Sequence, residues 1–277
     1  MLSLIAPSAL RSLRPQTIAV VDVQGTIGPA VRPLEYARLF TKLRDDDSVR
    51  AVVLNIDSPG GSATGSDLMT RAVFRLREEK PVVAYVGGLG ASGGYMLAAA
   101  AHYVIALPAA LVGAIGVIAY RPLVFEALDK IGVQMRVSKS GRLKDMLSPF
   151  REATDEEQAK EQRIIDAMYD LFVDGVARGR GLPEERVREL ATGEVYAAPD
   201  ALAAGLIDRT GDIEDAIDWA ASKSGAPRRT RIVRPKRGLR DLVLGRASVA
   251  LTEAVSAEVE AHLYRGAAAV YRGPRLG

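Results

Sequence analysis

The chain has 277 residues, 48% of them hydrophobic and 26% charged: one large domain with room for an appendage, and too apolar for disorder. It has no cysteine and only two histidines, His102 and His262, which excludes disulfides, thiolate catalysis, cysteine-ligated zinc and a histidine-rich metal site within one chain. The net charge of +3 is unevenly spread, with 11 Lys/Arg against 4 Asp/Glu in residues 228–277 and 26 against 30 in the rest.

"MLSLIAPSALRSLRP" (1–15) is too short between charges to span a bilayer, and it lacks the order of charge, apolar run and cleavage site of a signal peptide. It reads as a frayed segment or a weak surface-docking helix. "QTIAVVDVQG" (16–25), "RAVVLNIDSPGGS" (50–62) and "KPVVAYVGG" (80–88) are apolar, β-branched runs that end in glycine, and they predict buried strands. Between them, "PLEYARLFTKL" (33–43) and "ATGSDLMTRAVFRLREE" (63–79) carry helical spacing, and "SGGYMLAAAAH" (92–102) reads as a small-residue helix. Alternating strands and helices imply a largely parallel α/β sheet. Residues 103–120 read as short strands broken at Pro108 and Gly113, 122–132 as a helix, and "VQMRVSKSG" (133–141) as a strand and turn. A long amphipathic helix is predicted over 154–181, opened by a capping box of Thr154 and Glu157. A short helix follows near 183–191, and "GDIEDAIDWAAS" (211–222) closes the compact body. The expected division is an N-terminal segment 1–15, a folded body 16–222, and a tail 223–277 made of a basic linker and an amphipathic helix over 241–272.

Two loops fall at the C-terminal ends of neighbouring predicted strands, where open parallel sheets bind ligands. They are "DSPGGS", Asp57 to Ser62, and "GASGGY", Gly90 to Tyr95. Alone, each is an ordinary Ser/Gly turn. Together they place the Ser92 hydroxyl at a helix start, with the Gly93 N–H beside it and the N–H of Gly60 or Gly61 facing it. Two such donors make an oxyanion hole. "GASGG" also matches the G-x-S-x-G pattern of α/β-hydrolases, which requires a later acid and histidine. His102 lies on the same predicted helix as Ser92 and His262 lies in the basic tail, so neither suits that role. A neutral lysine can replace histidine as the base, provided desolvation or nearby positive charge lowers its pKa. "SKSGRLKDMLSP" (138–149) offers Lys139 and Lys144.

"NIDSPGGS", "ASGGYMLAAAA", "VGAIGV", "SKSGRLKDMLSPFREATDEE" and "GEVYAAPDALAAGLID" occur in that order over about residues 17–220. In this the chain resembles signal peptide peptidases of the SppA type, serine peptidase family S49. The resemblance implies a ClpP/crotonase-like α/β fold, largely parallel sheets with flanking helices, and a Ser-Lys dyad. It implies Ser92 as nucleophile and Lys144 as general base, with Lys139 a solvated turn residue. It further implies an oxyanion hole from the N–H groups of Gly61 and Gly93, an extended peptide bound along Ser58, Pro59 and Gly60, and no cofactor or metal. Leu206 and Ile207 are expected to pack behind the site. One departure stands out: where many members resemble "TGSIGV", with a serine thought to hydrogen-bond the lysine, this chain has Ala114. A membrane anchor typical of members is also not read in it.

The expected activity is endopeptidase cleavage of released signal peptides or other membrane-derived peptides. The alternatives are a scaffold whose site has decayed, which Ala114 motivates, and an acyl-CoA enzyme of the crotonase class, for which Asp57 is the one obvious acid. Expected partners are peptides and further copies of the chain in a homo-oligomer. "RRTRIVRPKRGLR" (228–240) and the helix after it suggest peripheral contact of 228–277 with anionic lipid, beside the plainer reading of an oligomer-packing tail. That basic stretch has no aromatic residue for base stacking, so nucleic acid is not expected. The expected location is cytoplasmic, at or near the membrane surface.

Overall fold

A computed structural model describes residues 15–235; the N-terminal segment and the expected helix over 241–272 lie outside the described residues. Three parallel strands form the centre: β1 (Thr17–Gln24), β2 (Val49–Ser58) and β3 (Val82–Ala91). Their residues are buried on both faces, which is why they read as continuous Val/Ile runs and not as alternating patterns. Alternate side chains still go to different layers. Ala19, Val21 and Val23 of β1 join a large core with α1 (Pro33–Asp45), α2 (Ala63–Arg77) and the fully buried α3 (Gly93–Ala99). Ile18 and Val20 face the other way, into a smaller core built on Ala216, Ile217 and Ala220.

β3 forks. Val83–Val86 pair with β4 (Tyr103–Ala106), whereas Leu89–Ala91 pair with β5 (Leu111–Gly113). Gly87 and Gly88 lie at the division, next to a register shift between Ile56 and Ser58 on β2. The Asp57 carboxylate fills that irregularity by accepting the Leu89 N–H at 3.0 Å.

Beyond β5 the chain leaves the body. The short α4 (Phe125–Lys130) and the turns around it precede α5 (Asp155–Arg180), and no residue from 116 to 168 enters either core cluster. The capping box of Thr154 and Glu157 forms as read, and Gly181 at φ +66° ends α5. Helix α6 (Glu184–Leu190) leads to β6 (Val195–Ala197), α7 (Ala198–Ala203), β7 (Arg209–Thr210) and α8 (Ile213–Ser224). β6 pairs antiparallel with β5, and β7 pairs parallel with β4. Leu206 and Ile207 are buried, and the Leu206 carbonyl accepts the hydroxyl of Tyr95 on α3 at 2.8 Å.

Two expectations need correction. Residues 133–141 form no strand, because no strand among the described residues pairs with them. The alternating Val133, Met135 and Val137 stay 43%, 50% and 52% exposed. Conversely, Thr230–Ile232, read as linker, forms an edge strand, β8, parallel to β1. The sheet order is β6-β5-β3-β2-β1-β8, with β4 and β7 branching from β3. Among the described residues, no helix is long and apolar enough to cross a membrane.

Candidate active site

Ser92 occupies the turn between β3 and α3. Its N–H donates to the Gly113 carbonyl at 2.8 Å, and its own carbonyl accepts from Met96 at 2.9 Å, opening the helix. The backbone between these two bonds is held at φ +50°, ψ −123°. Such a conformation costs a non-glycine residue on the order of 1–3 kcal/mol and persists only where its surroundings impose it. The result is a half-buried hydroxyl at the mouth of a wholly buried helix.

The loop after β2 is pressed against this turn. A Cβ on Gly60 would lie 2.6 Å from the Gly93 nitrogen and 2.8 Å from the Ser92 Cβ, so only glycine permits the approach. On its other side the loop is laced to Ile27. The Ile27 N–H donates to the Gly60 carbonyl at 2.7 Å, and the Ser62 N–H donates to the Ile27 carbonyl at 2.9 Å. These bonds use the groups on either side of Gly61. The Gly61 N–H has no acceptor among the described residues, and neither has that of Gly93. Ser66, buried on α2, donates to the Ser62 carbonyl at 2.9 Å and packs under Gly93, leaving no room for a side chain there.

The other residues singled out in the loop play different parts. Ser58 is fully buried; its hydroxyl donates to the Gly25 carbonyl at 2.8 Å and accepts from the Gly60 N–H at 3.1 Å. It shapes the loop and presents no side chain at the surface. Pro59 is exposed beside it, and Gly60 is buried.

Within one chain no hydrogen bond joins Lys144 to Ser92. Lys144 lies in the turn after Gly141, its N–H on the Gly141 carbonyl at 3.0 Å and its side chain exposed. Its amine has no hydrogen bond or ion pair among the described residues, so the expected desolvated amine is not found in a single copy. The reason is architectural, since the turn belongs to the segment that leaves the body after Ile115. Lys139, set aside from the sequence, pairs with Asp145. His102 is equally far from a catalytic role: its Nδ1 accepts the Val82 N–H at 3.1 Å, and partial burial, then Arg77, hold it below the usual imidazole pKa.

A serine under strain and two unpaired N–H groups thus lie together at one edge of a largely parallel sheet. The model of Peptidase family S49 matches residues 75–226, more than half of the chain. The chain belongs to peptidase family S49. It is 40% identical over 182 residues to a Methanocaldococcus jannaschii protein provisionally named a protease, covering 66% of this chain and 58% of that one. It is 38% identical over 208 residues to a Synechocystis sp. protein with a similar provisional name, covering 75% and 74%. To the chloroplastic serine protease SPPA of Arabidopsis thaliana it is 32% identical over 226 residues, covering 79% and 33%. The chain thus spans little more than half the length of the first of these relatives and a third of the last.

Within this S49 chain, Ala114 also stands at positive φ, +49°, directly after the Gly113 that holds Ser92. Its N–H is fixed on the Glu194 carbonyl at 2.6 Å. The third loop of the site, "GTIG" (25–28), was missed from sequence. A glycine closing β1, like those closing β2 and β3, was the available signal. The basic stretch after α8 is also less open than it read. Arg228 pairs with Glu214 and Asp218, Arg231 with Asp46 at 3.2 Å, and Arg234 with Asp22 at 3.4 Å.

Proposed function

We propose that the protein is a serine endopeptidase in which Ser92 attacks a peptide carbonyl and the amine of Lys144, supplied by a second copy, accepts the proton. The observation that carries this reading is the strained Ser92 turn with the unpaired N–H groups of Gly61 and Gly93 beside it. Those donors suit the oxygen of a tetrahedral intermediate, which gains charge as the reaction proceeds. The protonated amine then protonates the leaving nitrogen, and the neutral amine activates the water that hydrolyses the acyl-enzyme. A peptide lying along Pro59 and Gly60 would present its carbonyl to the pair.

The second copy is inferred from what this one leaves open. Lys144 is exposed, and it stands on a segment whose Ile118, Tyr120, Ile131 and Met135 are 74%, 88%, 72% and 50% exposed. A strand-like alternation at Val133, Met135 and Val137 without a neighbour suits pairing with another chain. Burial there would also desolvate the amine, which favours its neutral form.

Fluorophosphonate labelling tests the reading. Wild type should label at Ser92, whereas Ser92→Ala and Lys144→Met should each label poorly. Mixing the two variants should restore labelling, because an intact Ser92 then meets an intact Lys144. Full labelling of Lys144→Met alone would refute the dyad. No labelling of wild type at any pH would favour a scaffold, the alternative that the exposed amine and Ala114 support. Release of signal-peptide fragments from a synthetic set would test the expected substrate class.

A further inference from the structure

Lys144 is followed directly by an acid, Asp145, whose charge acts against a lysine that must lose its proton. The structure answers this with a network of four charges. Arg151 donates from Nε to Asp145 at 2.9 Å and from Nη2 to the Asp145 carbonyl at 3.3 Å. Its Nη1 and Nη2 grip Glu157 at 2.8 and 2.6 Å, and Nη1 also donates to the Glu152 carbonyl at 2.8 Å. Lys139 takes the remaining oxygen of Asp145. Glu157 is buried and fixed by the Thr154 N–H at 3.0 Å, so the clamp is anchored to the start of α5. The other charges facing this turn are Arg142, paired with Glu156, and the exposed Glu152 and Asp155.

Counted together, Arg151 and Lys139 balance Asp145 and Glu157. We propose that Arg151, with Lys139, is a positioning residue that cancels the charge of Asp145 and so lets the neighbouring Lys144 act as a neutral base. The inference rests on Lys144 being that base. It goes further in assigning a purpose to Arg151, whose Asp145 and Glu157 contacts would otherwise only brace a turn. The Asp145 carboxyl, held well below the ordinary range by Arg151 and then by Lys139, stays ionised throughout the working range. Its charge therefore has to be cancelled by cations, since protonation does not remove it.

The network gives each variant a sign. Removing a cation leaves a net negative charge beside Lys144, stabilises the ammonium, and moves the acid limb of the pH profile upward. A unit charge on an adjacent, partly solvated residue gives about half to one pH unit at low salt, less at high salt. The experiment measures the fluorophosphonate labelling rate of Ser92 against pH. Arg151→Gln should move the acid limb up, and Arg151→Lys should return it toward wild type. Lys139→Gln, a surface change that leaves the fold in place, should also move it up. Asp145→Asn should move it down.

A purely bracing role would lower the rate at every pH and leave the limb where it was. An unmoved limb in Lys139→Gln and Asp145→Asn would overturn the proposal, even if Arg151→Gln fails to fold. The dyad is tested separately: loss of labelling in Lys144→Met together with unmoved limbs sinks this inference alone. Full labelling in Lys144→Met sinks both.

Discussion

Gly60→Ala tests the site where its geometry is tightest. Gly60 sits at φ +91°, and its added Cβ would meet the Gly93 nitrogen at 2.6 Å, the Ser92 Cβ at 2.8 Å and the Ala91 carbonyl at 3.0 Å. None of these is the far end of a flexible side chain, so the two loops must separate. Positive φ costs an alanine about 1–2 kcal/mol, and the forced contact adds roughly 1–3 kcal/mol. A chain of this size should lose about 5–10 °C in Tm. The larger effect falls on rate, because Gly61 and Gly93 move apart. Loss of one oxyanion donor costs roughly 10²–10³-fold. The assay is the fluorophosphonate labelling rate at 25 °C, beside a thermal melt. Gly181→Ala is the control: it has positive φ, +66°, but no atom within 4 Å of its Cβ. It should lose about 1 kcal/mol of stability and no labelling. A Gly60→Ala protein that is folded and labels within about threefold of wild type would refute the assignment of these loops to an oxyanion hole.

Three further outcomes are expected. Tyr95→Phe removes the buried hydroxyl on the Leu206 carbonyl; it should cost about 1–3 kcal/mol in urea melts and leave the labelling rate unchanged. Ala114→Ser places a hydroxyl beside the Ser92 turn and should raise the labelling rate about fivefold, the worth of one hydrogen bond; an unchanged or lower rate would refute a part for position 114 in orienting the proposed base. Arg151, then the Thr154 N–H, hold Glu157 at about 2, below its unfolded value near 4.3. That depression adds stability which is fully present above about pH 4.3 and is lost as pH falls towards 2. Melts between pH 2 and 5 should show this slope, flattened in Glu157→Gln.

What the sequence made legible follows from how local each signal is. β1, β2 and β3 announce themselves because both faces are buried and each run is Val/Ile-rich and ends in glycine. The long helix was readable to within a residue, since Thr154, Glu157 and Gly181 are local start and stop signals. β8 was not readable. It has three exposed residues among arginines, and its existence depends on the free edge of β1, more than two hundred residues earlier in the chain. The bracing of the Gly60–Ser62 loop by Ile27 is hidden for the same reason, because backbone hydrogen bonds leave no mark on side-chain identity.

The same distinction separates the two halves of the proposed dyad. The nucleophile half is made by two strand ends that are neighbours in the sheet, so adjacent loops in the sequence become adjacent loops in space. Its glycines are demanded by backbone geometry, whereas its serine stands against that geometry at positive φ, and both show in the local composition. The proposed lysine sits on a segment whose own apolar side chains are uncovered, and in the proposed dyad its register against Ser92 is set by a second copy. What can be read locally there is charge. Asp145, Lys139, Arg151 and Glu157 fall within 19 residues of one another and balance within that span, whatever copy of the protein lies across from them. In the proposed dyad the electrostatic setting of the lysine is therefore a property of the segment that carries it, whereas its distance to the hydroxyl is a property of the pairing between copies. A variant that alters only the first should shift the pH at which Ser92 reacts without weakening association between copies. A variant that alters only the second, such as Met135→Glu on the uncovered alternation, should abolish association and labelling together and leave no pH at which Ser92 recovers.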